Sequence, residues 1–226
     1  MEDNINRHYI TEYIRGLLPG RDALLTSIEE SAVLEESYVP IVEPEVAQLL
    51  KLFIDIIKPA RILEIGTAVG YSSIYMAQCF ENAHITTIER YKNASERAKK
   101  NIEKANLESR IEIIEGDASE ILKTLDGEYD LIFLDAAKGQ YPAFLPYLEK
   151  LLREGGVLIS DNVLYKGMIA SKELVIRRKI TIVKRLRMYL KTLMEHDGFT
   201  TSIIPMGDGV AVSYKKARGD KENGQG

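Results

Sequence analysis

Five short apolar runs, Arg61–Ile65, Ile85–Glu89, Ile111–Glu115, Leu131–Asp135 and Val157–Asp161, recur along the middle of this chain. The segments between them are long enough for crossover helices, as in Tyr91–Asn106 and Tyr141–Arg153. Apolar strands alternating with helices must bury both sheet faces, which predicts an α/β fold with a parallel sheet and right-handed crossovers. The last part departs from that rhythm. A helix-like segment, Lys172–Glu195, precedes two β-type runs, Thr200–Ile204 and Val210–Tyr214, joined by the turn residues of PMGDG. A closing antiparallel hairpin at one sheet edge is expected. Residues 5–57 read as two or three helices, broken at Pro19-Gly20 and Val39-Pro40. One domain over residues 1–214 is expected, with N-terminal helices to residue 57, a core over 58–214 and a disordered polar tail from 215 to 226.

Composition narrows the class. Of the 226 residues, 45% are hydrophobic and 28% charged, as in an ordinary globular domain, and no apolar run approaches the ~20 residues of a membrane span. The start, MEDNINRHYI, carries no apolar signal core, and Cys79 is the sole cysteine. Both features predict a cytoplasmic protein in a reducing compartment. A net charge of -4 argues against polyanion binding by the whole surface but leaves room for a local basic face.

The stretch LEIGTAVGYSS, Leu63–Ser73, reads as strand, glycine turn and helix start. Gly66 and Gly70 permit a tight turn and close approach of a ligand to free helix N–H groups. The spacing G-x-x-x-G is neither the dinucleotide fingerprint nor a Walker loop. Glu64 would repel a pyrophosphate but can hold an ammonium group. Glu89 ends the second run, where an acid can bind ribose hydroxyls, and Gly116-Asp117-Ala118 follows the third. A ligand with a ribose, no phosphate and a positive charge fits, and S-adenosylmethionine has those features. The plainer alternative is a tight βα turn with acids that only cap helices.

The fourth and fifth runs end in Asp135 and in Asp161-Asn162. On neighbouring parallel strands, roughly 4.8 Å apart, these side chains would converge beyond the carboxyl ends. Two carboxylates and an amide oxygen are hard donors suited to Mg²⁺ or another octahedral divalent ion. Lys138, three residues past Asp135, can then serve as a base toward an acidified hydroxyl. His8, His84 and His196 are scattered and show no zinc spacing.

Together, LEIGTAVGYSS, TTIER, EGDA, FLDAAKGQYPAF and ISDNVLYKG resemble the cation-dependent, catechol-type O-methyltransferase family over about Val39 to Tyr214. The resemblance implies a Rossmann-like methyltransferase with a mostly parallel seven-stranded sheet and an antiparallel last strand. It implies S-adenosylmethionine as donor, a metal held by Asp135, Asp161 and Asn162, and Lys138 as catalytic base. Around the cofactor it places Val39, Glu64, Gly66, Ser72, Glu89, Asp117, Ala118 and Asp135. A homodimer is implied as well.

The segment SKELVIRRKITIVKRLRMYLK would place Arg177, Arg178, Lys184, Arg185, Arg187 and Lys191 on one side of a helix, as a solvated cationic face or a phosphate contact. With DAAKGQY, SDNVLYKG and IIPMGDGVAVS, this segment is similar to the bacterial branch that methylates 5-hydroxyuridine at the tRNA wobble position. The RNA contacts implied are Lys166, Arg177, Arg178, Lys184 and Arg185, against the anticodon region. A small-molecule catechol or hydroxycinnamoyl acceptor is the alternative on the same scaffold.

Overall fold

The computed structural model describes residues 4–34 and 41–217. Seven strands form one sheet in the order β3-β2-β1-β4-β5-β7-β6. They are β1 (Arg61–Ile65), β2 (His84–Glu89), β3 (Ile111–Glu115), β4 (Tyr129–Leu134), β5 (Leu152–Ser160), β6 (Phe199–Ile204) and β7 (Val210–Lys215). The first five pair in parallel, while β7 runs antiparallel to both β5 and β6. The expected reversed last strand is therefore present, inserted between β5 and the edge strand β6.

Side-chain alternation gives the sheet two apolar faces. Leu131, Phe133, Val157 and Ile159 point to one face. It is covered by α2 (Ala23–Leu34), α3 (Pro44–Ile57) and α4 (Tyr71–Cys79). Ile132, Leu134 and Leu158 point to the other, beneath α6 (Ala118–Thr124), α7 (Tyr141–Leu151) and α8 (Ile180–Glu195). Helices α1 (His8–Leu17) and α5 (Lys92–Lys104) complete the set. Helix α3 starts on Pro44, whose missing N–H costs nothing at a first turn, and stops at Lys58 in the left-handed region.

Several boundaries differ from the sequence reading. The crossover before β5 ends at Leu151, because Leu152 already pairs with Tyr129 and a bulge carries the chain through Gly155-Gly156. The segment expected as one helix over Lys172–Glu195 is irregular to Ile176, then a 3₁₀ turn at Arg177–Lys179, then α8. Lys215, expected to open the tail, belongs to β7, and its ammonium bonds the Glu149 and Leu152 carbonyls at 2.7 and 2.6 Å. Residues 218–226 lie outside the described set, as do Val39 and Pro40. Among the described residues no helix is long and apolar enough to cross a membrane.

The strand order reverses between β1 and β4, and there the two strand ends nearly touch. Gly66 follows β1 with φ +112°, and a Cβ on it would lie 2.2 Å from the Asp135 carbonyl oxygen. Only glycine fits this spot. Gly66→Ala should destabilise the protein by about 3 kcal/mol from overpacking plus a forced left-handed conformation. Gly20→Ala, with nothing within 4 Å of the added carbon, is the control. Urea unfolding of both variants checks this, and equal midpoints would contradict it.

Candidate active site

Period-two alternation turns Glu64 away from Leu63 and Ile65, into the layer under α4. There it is wholly buried. Its Oε2 accepts from the Ser73 hydroxyl and, at 2.6 Å, from Thr87. Because Thr87 gives its proton to Glu64, Thr67, 2.6 Å away, must donate to Thr87. Burial holds the Glu64 carboxyl above the usual range, against the pull of Ser72, Ser73 and Thr87. Its Oε1 is buried without a hydrogen-bond partner among the described residues. Glu64 thus stands behind the Gly66 turn, where a strand-end acid facing a ligand was expected.

In front of that turn lies a cavity of about 590 Å³. Gly66, Glu89, Asp117, Ala118, Asp135, Lys138, Asp161 and Asn162 all line it, so the sequence-predicted residues converge. Glu89 is buried, with Oε2 2.9 Å from the Ala68 N–H and Oε1 2.8 Å from the Tyr91 N–H. Those two bonds tie the glycine turn to the end of β2, and each oxygen keeps a further lone pair for a ligand. Asp117 caps α6 through the Ser119 N–H at 2.9 Å. Bonds to the Ser119 hydroxyl and N–H hold its carboxyl below the ordinary value. Asp117 thus both caps a helix and lines the cavity, whereas Glu89 lines it and ties the turn without capping a helix. Ser72, nearly buried, sits on α4 beside Glu64 and outside the cavity wall.

Asp135 and Asp161 each follow the last rung of their strands, the Leu134–Ser160 pair. Backbone bonds continue past it, from Asp135 N to Ile65 O at 2.9 Å and from Asp161 N to Leu134 O at 3.0 Å. Asp161 is 3% exposed. Desolvation, then the Asp135 charge, pushes its carboxyl well above the usual range. Asn162 turns the chain at φ +54°, a conformation asparagine tolerates, and its N–H bonds Asp161 Oδ1 at 2.7 Å. Lys138 opens a 3₁₀ turn and pairs with Asp135. The opening PMGDG turn does more than reverse the chain: the Asp208 and Gly209 carbonyls accept from Leu164 and Val163 at 3.0 and 2.9 Å, bracing the loop after Asn162.

Among the described residues no group of three or more His, Cys, Asp and Glu side chains clusters as a metal site. The candidate set consists instead of two carboxylates and an amide. Its chemistry nevertheless fits a hard dication: every donor is oxygen, and the buried Asp161 faces the charge of Asp135.

The cationic segment is rearranged relative to its expected single helical face. Arg177 and Arg178 lie on the 3₁₀ turn, whereas Lys184 and Arg185 lie on α8; all four are exposed. Arg187 turns inward and donates to the Ile169 and Met168 carbonyls at 2.9 and 3.2 Å. Arg185 bonds the Gly139 carbonyl at 3.1 Å, next to Lys138. Lys166 is exposed on the loop after Asn162. None of these cations lines the cavity. Residues not foreseen do, including Ile41, Glu43, Tyr91, Asn93 and Phe144. Tyr91 and Asn93 follow a strand end and could have been found by that rule; Ile41 and Glu43 come from a distant loop and carried no signal.

Comparison with known proteins places these features in context. A family model described as O-methyltransferase matches residues 21–216. A catechol O-methyltransferase from Niastella koreensis is 34% identical over 167 residues, 71% of this chain and 75% of the relative. A candidate caffeoyl-CoA O-methyltransferase structure from Staphylococcus aureus is 36% identical with a TM-score of 0.85, covering 92% of this chain and 99% of that one. An O-methyltransferase from Bacillus cereus, solved with S-adenosylhomocysteine, is 27% identical with a TM-score of 0.80 over 92% and 97% of the two chains.

The raised Glu64 pKa makes a pH prediction. A carboxyl that holds its proton more tightly when folded contributes full stability below its unfolded pKa of about 4.3 and loses it as pH rises above that value. Relative to Glu64→Gln, the unaltered ligand-free protein should weaken as pH climbs from 4, by at most about 1.4 kcal/mol per pH unit. Urea midpoints of the two proteins between pH 4 and 8 test it, and a constant gap would refute it.

Proposed function

The chain belongs to the O-methyltransferase family, and from that premise we propose that it transfers the methyl group of S-adenosylmethionine to a hydroxyl with a second oxygen beside it. The observation that carries this is the meeting of Gly66, Glu89 and Asp117-Ala118 with Asp135, Lys138, Asp161 and Asn162 in one cavity. The first group offers the acidic, phosphate-free surroundings a nucleoside needs, and the second an oxygen-rich pocket with a base. The S-adenosylhomocysteine held by the Bacillus cereus relative supports the choice of donor.

Asp135, Asp161 and Asn162 would hold Mg²⁺ or a similar ion. Such an ion supplies charge that acidifies an acceptor hydroxyl and orients the oxygen next to it. Lys138 would serve as the base, taking the acceptor's proton at Nζ. S-adenosylmethionine, when bound, would supply the methyl group: the acceptor oxygen would gain the bond to the methyl carbon and the sulfur would keep the electron pair of the broken carbon–sulfur bond. Alignment within the cavity would account for much of the expected rate gain.

The acceptor class favoured is a catechol or hydroxycinnamoyl-type small molecule, which fits the relatives' names better than tRNA does. One observation favours a second reading, 5-hydroxyuridine at the tRNA wobble position. Arg177, Arg178 and Lys184 are exposed beside Arg185, which is bonded to the Lys138 loop, so a phosphate chain bound there would run near the cavity. The 5-hydroxyl and 4-carbonyl of that base would present the same pair of neighbouring oxygens.

Asp161→Asn should lower turnover about 100-fold or more while leaving S-adenosylhomocysteine affinity within about threefold; activity that survives both this change and EDTA would end the metal reading. Lys138→Ala should slow single-turnover methylation by about 10²–10⁴. Assays with free catechols and with tRNA carrying 5-hydroxyuridine separate the acceptors. Reversing Arg177, Arg178 and Lys184 to glutamate should leave catechol turnover intact. If tRNA is the substrate, the same triple change should cut tRNA methylation and its salt dependence together.

A further inference from the structure

We propose that Tyr141 is a positioning residue for the candidate metal centre, its hydroxyl fixing the carboxyl ends of β4 and β5 and so the two aspartates that follow them. The inference rests on the metal reading above. The parallel ladder between these strands closes at Leu134 and Ser160. Beyond that rung one backbone bond joins them, from Asp161 N to Leu134 O at 3.0 Å. The Tyr141 hydroxyl lies 3.0 Å from the Leu134 carbonyl and 3.0 Å from the Asp161 carbonyl. A single phenolic proton is thus shared between the last residue of one strand and the aspartate after the other.

The ring is held in place independently. Tyr141 is wholly buried, and its ring meets Tyr189 edge-on at 5.3 Å between centroids. The Tyr189 hydroxyl bonds Ser160 at 2.6 Å, one residue before Asp161. Phenylalanine would fill the same space, so packing does not account for the Tyr141 hydroxyl; a buried hydroxyl is retained only where its partners are worth its desolvation. Its chain position serves the same end. Six residues after Asp135, Tyr141 starts α7, so the 3₁₀ turn carrying Lys138 is closed between the aspartate and the tyrosine.

The test is Mn²⁺ binding by the full chain with S-adenosylhomocysteine present, followed by electron paramagnetic resonance. Tyr141→Phe should weaken Mn²⁺ affinity about 10-fold, as loss of an outer contact to a metal ligand does, with cofactor affinity kept within about twofold. Raised Mg²⁺ should restore turnover in this variant, which a general loss of structure would not allow. Tyr189→Phe removes a hydroxyl from the same buried pair and should leave Mn²⁺ affinity unchanged. Unaltered affinity in Tyr141→Phe, or an equal loss in Tyr189→Phe, would overturn the inference. Absence of Mn²⁺ binding by the unaltered protein would overturn the metal reading and this inference with it.

Discussion

The backbone contact between Gly66 and Asp135 is the constraint on which the site depends. It occurs where the strand order turns back on itself, so helices leave β1 and β4 toward opposite faces and a crevice opens between them. A side chain on residue 66 would fill that crevice with the strands' own atoms. The glycine brings the half of the cavity lined from the ends of β1, β2 and β3 against the half lined from β4 and β5. One cavity rather than two follows from this approach.

Buried acids set the second theme. Glu64 and Asp161 are both removed from water, and in both desolvation is the largest influence on the carboxyl. Their solutions differ. Glu64 is supplied with hydroxyl donors from Ser73 and Thr87 and keeps one oxygen unpaired. Asp161 receives one N–H from Asn162 and faces the charge of Asp135. Buried acceptors left short of partners weigh against folding.

Around this rigid centre the loops are braced from several directions. Arg185 holds the Gly139 carbonyl, Arg187 holds the Met168 and Ile169 carbonyls, and the Asp208–Gly209 turn holds Val163 and Leu164. Basic residues that read as a uniform surface stripe are thus divided between structural guanidinium contacts and exposed cations. That division matters for the acceptor, because only the cations left in solvent can meet a polyanion.

The sequence by itself determined the architecture and most of the wall of the site. Strand and helix periods are local properties, and the rule that ligands sit past strand ends turns Gly66, Glu89, Asp117, Asp135, Asp161 and Asn162 into neighbours before any coordinates exist. Tertiary structure alone decided that Glu64 stands behind the wall, that Ile41 and Glu43 reach it from a remote loop, and that Arg187 points inward. It also revealed Tyr141, which reads in the chain as one more apolar helix residue. The reason is physical: periodicity states which face a side chain takes, while hydrogen-bond partners and burial depth depend on contacts between segments far apart in the chain, here strands brought together by helices that the pattern locates but does not dock.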